Sequence, residues 1–242
     1  MDDRLEGRIE GIRAKVRRLP EFGLELASDE VTINWVQDEE WATAWRQFFK
    51  PTHVGRIVIK PSWEDYEAQG DDLVVEIDPG MAFGTGDHPT TQLCLLALQD
   101  HIHGGETVLD VGTGSAILSL ACVRLGAVRV VGLDVDPVAV SAARANVKRL
   151  GLEDTITIEE ADSPNAFAGE ADLVVANIIA KVIMEMAEDL HAKVRSGGKL
   201  IASGIIQERA DDVSAKLSSV GFRLLEDRRD GEWVALVMER RG

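Results

Sequence analysis

The sequence predicts an α/β protein whose main sheet is mostly parallel, covered by helices on both faces and closed at one edge by an antiparallel hairpin. Three observations carry this expectation. From Thr107 onward, short apolar runs alternate with longer runs of helical periodicity, the order that builds βαβ units. The short runs, such as TVLDV and ADLVVAN, are apolar almost throughout, as strands buried on both faces must be. The last two runs, FRLLEDRRD and EWVALVMER, are separated by too few residues for a crossover and read as a hairpin.

Taken in order, Leu5, Ile9, Ile12, Val16 and Leu19 recur at helical spacing and make one apolar stripe. After Pro20 the stretch LELASDEVTINWV is strand-like, and DEEWATAWRQFF reads as a helix with Trp41, Ala44, Trp45, Phe48 and Phe49 near one face. The tryptophans from Trp35 to Trp45 are expected to pack a short N-terminal α/β module, residues 1–50, which recognises substrate and links to the main domain, residues 51–242. RIVIKPSW and DLVVEID are strand candidates leading into a loop rich in glycine, proline and threonine, Pro79 to Thr91. Seven strands follow: TVLDV, VRVVGLDV, TITIEE, ADLVVAN, GKLIASG and the two of the hairpin. The helices between them are expected over Ala116 to Leu125, Pro137 to Leu150, Ile179 to Val194 and Gln207 to Val220.

With 242 residues, 45% hydrophobic and 28% charged, the chain can bury one full-sized core. No apolar run approaches the roughly 20 residues of a membrane span, and the first residues lack the basic and apolar blocks of a secretory signal. A cytoplasmic protein is expected. Its two cysteines, Cys94 and Cys122, fall in apolar helical runs and read as buried thiols. His101 and His103 read as a solvated turn, so no metal site is expected. A formal net charge of −16 repels nucleic-acid phosphates and suits a basic protein partner.

The first βα turn of the series reads VLDVGTGSAILSLA. Gly112 and Gly114 let the backbone turn sharply and let a ligand approach a helix N terminus. A dinucleotide site would want a third glycine where Ala116 stands. Asp110 ends the strand just before the turn, where its charge would repel a pyrophosphate but hold a cationic amine. Asp134 closes the next strand, in the place from which a carboxylate grips ribose hydroxyls. A nucleoside with an amino-acid tail satisfies both, and S-adenosylmethionine is such a molecule. Asn177, at the carboxyl end of ADLVVAN, faces the position of its methyl group. An amide there, with adjacent backbone carbonyls, can accept hydrogen bonds from an incoming amine and align its lone pair. It can equally cap the following helix.

The segments DPGMAFGTGDHPTTQLCL, VLDVGTGSAILSLA, GLDVDPVAVSAARANV and LVVANIIA together resemble the ribosomal protein L11 methyltransferases of the PrmA type. The likeness runs from roughly Val31 to the C terminus. It implies a Rossmann-like class I methyltransferase domain that transfers methyl groups from S-adenosylmethionine to lysine side-chain and N-terminal amines of ribosomal protein L11. It further implies a cofactor site made of Thr85, Thr91, Asp110, Gly112, Thr113, Gly114, Asp134, Val135 and Asn177. The reaction centre would comprise Asn177, Ile178 and Phe83, with the glycine-rich loop covering the cofactor and His88 a proton acceptor or a structural residue.

Two departures from the family pattern stand out: Ala116 occupies a usual glycine position, and the segment before Val31 is shorter than the family's N-terminal recognition domain. A second acceptor, another protein lysine or a small amine, therefore stays open. A nicotinamide-dependent oxidoreductase and a non-catalytic binding module are the remaining alternatives. A monomer that makes no direct contact with nucleic acid or membrane is expected.

Overall fold

The computed structural model describes residues 3–22, 28, 49–78 and 86–242. The expected helix at DEEWATAWRQFF up to Phe48, the strand-like stretch before it apart from Ser28, the tryptophan cluster and the sequence positions Phe83 and Thr85 lie outside the described residues. The chain divides into two compact units, Met1–Phe48 and Phe49–Gly242. In the first, the apolar stripe forms helix α1 (Asp3–Arg17), followed by a short 3-10 turn at Leu19–Phe22. Ile9 and Val16 are half-buried, whereas Ile12 is exposed.

The second unit opens with a small sheet of β1 (Thr52–Val54), β2 (Ile57–Lys60) and β3 (Leu73–Glu76). β1 runs antiparallel and β3 parallel to β2. Helix α2 (Pro89–His101) then leads into the main sheet, where strands and helices alternate as β4 (Thr107–Val111), α3 (Ile117–Arg124), β5 (Arg129–Asp134), α4 (Pro137–Arg149), β6 (Ile156–Glu160) and β7 (Ala171–Asn177). After these come α5 (Ala180–Glu185), α6 (Ala187–Lys193), β8 (Val194–Ile206), α7 (Ala210–Ser219), β9 (Phe222–Asp230) and β10 (Trp233–Arg240).

The seven strands lie in the order β6-β5-β4-β7-β8-β10-β9. All neighbouring pairs are parallel except β8/β10 and β10/β9, so the expected antiparallel edge hairpin is present. The chain winds outward from β4 to β6 and then crosses back to β7 on the other side of β4. That reversal opens a crevice at the carboxyl ends of β4 and β7, the place where open parallel sheets bind ligands.

Alternation along β4 shows how the two faces are filled. Val108 points into the core under α2, α3 and α4, with Leu95, Leu98, Ile117, Val140 and Val147. Leu109 and Val111 point into the opposite core, with Ile183, Leu190, Val213 and Leu217. Asp110, between them in sequence, falls on the first side and is fully buried.

Four expectations need correction. The helix over Ile179 to Val194 is two helices, broken where Met186 leaves helical geometry (φ −92°, ψ 8°). Ile183, Ala187 and Leu190 all face one core and keep helical spacing across the break, so periodicity conceals it. The next strand begins at Val194, earlier than GKLIASG. The helix expected from Gln207 opens as a 3-10 turn, Gln207–Arg209. His101 ends α2 rather than occupying a solvated turn, and its Nε2 meets Glu226 at 2.9 Å. Burial holds its imidazole below the ordinary histidine range, partly opposed by Glu226.

Both cysteines are fully buried free thiols, as expected. Burial pushes the Cys94 thiol up to about 12 and that of Cys122 well above its usual value. Among the described residues no helix is long and apolar enough to cross a membrane, and no cluster of ligand-type side chains is suited to a metal ion.

Candidate active site

The glycine turn between β4 and α3 is built by positive φ angles. Gly112 (φ 75°) and Gly114 (φ 56°) adopt the left-handed conformation that glycine enters freely. Ala116 (φ 70°) adopts it too, although a Cβ there costs roughly 1–2 kcal/mol. The departure from the family's glycine is thus accommodated as backbone strain in a fully buried residue. The N–H groups of Gly112 and Thr113 both donate to the Leu133 carbonyl, at 2.8 and 2.9 Å, which ties the turn to β5.

Asp134 ends β5 with both carboxylate oxygens already oriented. Oδ2 accepts from Gly114 N at 2.9 Å and Oδ1 from Asp136 N at 3.0 Å. Each oxygen keeps a second lone pair for a ligand hydroxyl. Asp136 then caps α4, accepting from Val138 N at 2.8 Å, with Pro137 in the first turn where its missing N–H costs nothing.

A cavity of about 540 Å3 opens beside these groups. Gly112, Gly114, Asp134 and Val135 form one wall and Asn177 and Ile178 another. Six of the residues expected at the site are therefore brought together. The cavity continues past Ala161, Asp162 and Ser163, after β6, to Val182, Glu185 and Met186 at α5. Sequence patterns did not mark those six, because the first three look like any other loop after a strand and the last three like part of an ordinary helix.

Three expected residues sit behind the wall. Asp110 has no exposed surface; its Oδ2 accepts from Thr113 Oγ1 at 2.7 Å and from Ser119 Oγ at 2.6 Å. Its Oδ1 is the one buried side-chain oxygen or nitrogen without a partner among the described residues. Burial pushes this carboxyl up to about 6, against the lowering effect of Ser119 and Thr113. Thr91, also buried, accepts at Oγ1 from Asn177 Nδ2 at 3.3 Å. That bond turns the amide so that its oxygen is the atom left for another donor.

Ile178 is held from both sides. Its N–H donates to Ser203 O at 3.1 Å, and its carbonyl lies against Gly204 (φ 82°), where an added Cβ would stand 2.3 Å from the carbonyl oxygen. Its Cγ2 occupies the space where a Cβ on Gly112 would fall, also 2.3 Å away. Gly204 was not singled out from the sequence, although a glycine inside an apolar strand signals close backbone approach.

His88 caps α2, its Nδ1 accepting from Thr90 N at 3.3 Å and meeting Thr90 Oγ1 at 2.8 Å. Its ring stands edge-on to Trp233, with centroids 4.9 Å apart. These contacts fix its ring at the start of α2.

A switch-point cavity with a glycine turn, a ribose-type carboxylate and an amide at the end of the fourth strand of the series defines a Rossmann-like class I methyltransferase fold. Known proteins narrow the class. A family model described as ribosomal protein L11 methyltransferase (PrmA) matches residues 8–241. A ribosomal protein L11 methyltransferase of Heliobacterium modesticaldum is 46% identical over 235 residues, covering 93% of this chain and 74% of that protein. One from Alkaliphilus oremlandii is 43% identical over 236 residues, covering 97% of this chain and 75% of its own length. The crystal structure of a ribosomal protein L11 methylase from Lactobacillus delbrueckii subsp. bulgaricus superposes with a TM-score of 0.74 at 31% identity, covering 80% of this chain and 100% of that one. The chain belongs to the ribosomal protein L11 methyltransferase family.

Proposed function

We propose that this protein transfers methyl groups from S-adenosylmethionine to lysine side-chain and N-terminal amines of ribosomal protein L11. The observation that carries this reading is the Asn177 amide, oriented by Thr91 on the wall of a nucleoside-sized cavity opposite Asp134. Family membership supports the acceptor.

The residues fit the cofactor. The free lone pairs of Asp134 suit the two ribose hydroxyls, and the 69% exposed side chain of Val135 offers an apolar face for the base. The unpartnered Oδ1 of Asp110, buried behind the glycine turn, places a negative charge that attracts the ammonium of the methionine tail. Gly112, Thr113 and Gly114 shape the approach to the N terminus of α3, whose cap Ala116 supplies no side-chain hydrogen bond and so leaves room for the tail carboxylate. The family resemblance assigns Thr85 to the same cofactor site and Phe83 to the reaction centre.

When bound, S-adenosylmethionine supplies an electrophilic methyl on a sulfonium; the amine nitrogen bonds to that carbon while the carbon–sulfur electrons pass to sulfur. Asn177 Oδ1 accepts a hydrogen bond from the incoming amine and fixes the direction of its lone pair. The side chains of Ile178, Val182 and Met186 exclude water and disfavour the charged ammonium, so the amine enters neutral. After transfer the nitrogen carries the extra proton, which leaves with the product or to water. The N-terminal unit presents the substrate, and the acidic chain attracts a basic one in the cytoplasm.

The test is incubation with methyl-labelled S-adenosylmethionine and ribosomal proteins from a strain lacking the activity, with the label located by mass spectrometry. Label on lysines and the N terminus of ribosomal protein L11 is expected. Label on another protein, with cofactor still bound, would move the acceptor and leave the cofactor reading standing.

A further inference from the structure

Asn146 lies on the buried face of α4 with 2% of its surface exposed, in line with Ala139, Ala143 and Val147. A polar amide on an apolar stripe must find partners, and here it uses all four of its hydrogen-bonding positions. Nδ2 donates to Asp78 O at 3.1 Å and to Ser115 O at 3.0 Å. Oδ1 accepts from Asp78 N at 3.1 Å and from Arg149 Nη2 at 3.1 Å. The amide thus pairs with both backbone groups of Asp78 while reaching across to the glycine turn.

Each end of this bridge is itself constrained. The Asp78 carboxylate accepts from Ser62 N and Ser62 Oγ, each at 3.0 Å, and lies 3.5 Å from Arg149 Nε. At the other end, Ser115 stands between the two left-handed residues Gly114 and Ala116. Its carbonyl begins the peptide plane that leads into the strained φ of Ala116, so a donor fixed on that carbonyl resists the turn's relaxation. On the preceding residue, Gly114 N donates to Asp134, so the shape of the turn also sets the orientation of that carboxylate.

We propose that Asn146 is a positioning residue for the cofactor cleft: through the Ser115 carbonyl it holds the glycine turn, strained at Ala116, in the form that presents Gly112, Gly114 and Asp134 to the ligand. Asn146 does not line the cavity; it acts through the turn. The inference rests on the cofactor reading above for its ligand, and on geometry alone for its effect on the turn.

The experiment compares the wild type with Asn146→Asp, Ala116→Gly and the double variant, by calorimetric titration with S-adenosylhomocysteine. Asn146→Asp keeps the side chain's shape but removes both donors. It is expected to weaken binding tenfold or more. Ala116→Gly, which enters the left-handed conformation without cost, is expected to restore binding at least threefold in the double variant relative to Asn146→Asp alone. A residue that merely filled the core would show no such rescue. Binding by Asn146→Asp within twofold of wild type, or a double variant no better than Asn146→Asp, overturns the proposal; Asn146→Ser substitutes where Asn146→Asp does not fold. If the wild type itself binds no S-adenosylhomocysteine, the cofactor reading fails. Amide hydrogen exchange of Gly114 in the unliganded protein then decides the positioning role. At least tenfold faster exchange in the variant than in the wild type, with global exchange unchanged, supports it, and equal exchange refutes it.

Discussion

The carbonyl of Ile178 rests on the bare Cα of Gly204, so closely that a methyl group on that carbon would stand 2.3 Å from the oxygen and 2.8 Å from the carbonyl carbon. Backbone, not a movable side chain, fills the space. Gly204 also sits at φ 82°, which costs an alanine roughly 1–2 kcal/mol before any clash. Gly204→Ala is expected to lose about 3 kcal/mol or more in urea unfolding. It should also lower kcat at least tenfold, because Asn177 moves with the displaced peptide. A folded Gly204→Ala enzyme with wild-type kcat would show that this peptide's position does not matter to transfer.

Ile178 meets a second glycine on its other side, since its Cγ2 lies 2.3 Å from a Cβ built on Gly112. Gly112→Ala should therefore weaken cofactor binding by pushing the two cavity walls apart. Ile178→Ala removes the obstructing methyl and is expected to recover part of the loss. A double-mutant cycle should give a coupling of about 1–2 kcal/mol, the range for residues in direct contact. Strictly additive effects would mean that the strain at φ 75°, rather than the Ile178 contact, dominates at Gly112.

Much of this site was legible in the sequence because its signals are local. Asp110, Gly112, Gly114, Asp134 and Asn177 all sit at strand ends, and the strand runs are apolar enough to place those ends. Asn146 and Gly204 act across 31 and 26 residues of chain, on Ser115 and Ile178 respectively, and such pairing has no periodicity. Each nonetheless broke a local rule: an amide on an apolar helical stripe and a glycine inside an apolar strand. The break at Met186 left no trace, because both half-helices feed one core with unbroken spacing. Ala116 was visible as a missing glycine, but its left-handed backbone was not.

Thr91 supplies the acceptor that orients the Asn177 amide, at 3.3 Å and out of contact with solvent. Thr91→Val preserves shape and removes that acceptor. The loss of one modest hydrogen bond, about 1 kcal/mol, corresponds to a roughly fivefold fall in kcat. Thr91→Ser should restore most of it, whereas Asn177→Ala, which deletes the amide itself, should cost about a hundredfold. Equal rates for Thr91→Val and Thr91→Ser would place the orientation of Asn177 in other hands.

Asp110 sets the stability of the unliganded protein against its affinity for ligand. Its carboxyl titrates near 6 in the fold, raised by burial from 3.8, so between these values the folded chain holds more protons than the unfolded one. Stability from this group is therefore present below pH 3.8 and is lost as pH rises through 6. The difference is worth roughly 3 kcal/mol above that range. Asp110→Asn carries no such cost. At pH 8 the unliganded variant is expected to be about 1–3 kcal/mol more stable than wild type in urea, with the gap closing toward pH 4. The same change removes the negative charge that attracts the ammonium of the cofactor, so affinity for S-adenosylmethionine should fall at least tenfold at pH 8. Wild-type affinity should itself decline below pH 6, as Asp110 takes up its proton. A variant less stable than wild type at pH 8, or one that binds the cofactor equally well, would mean that the unpartnered oxygen is not reserved for the ammonium.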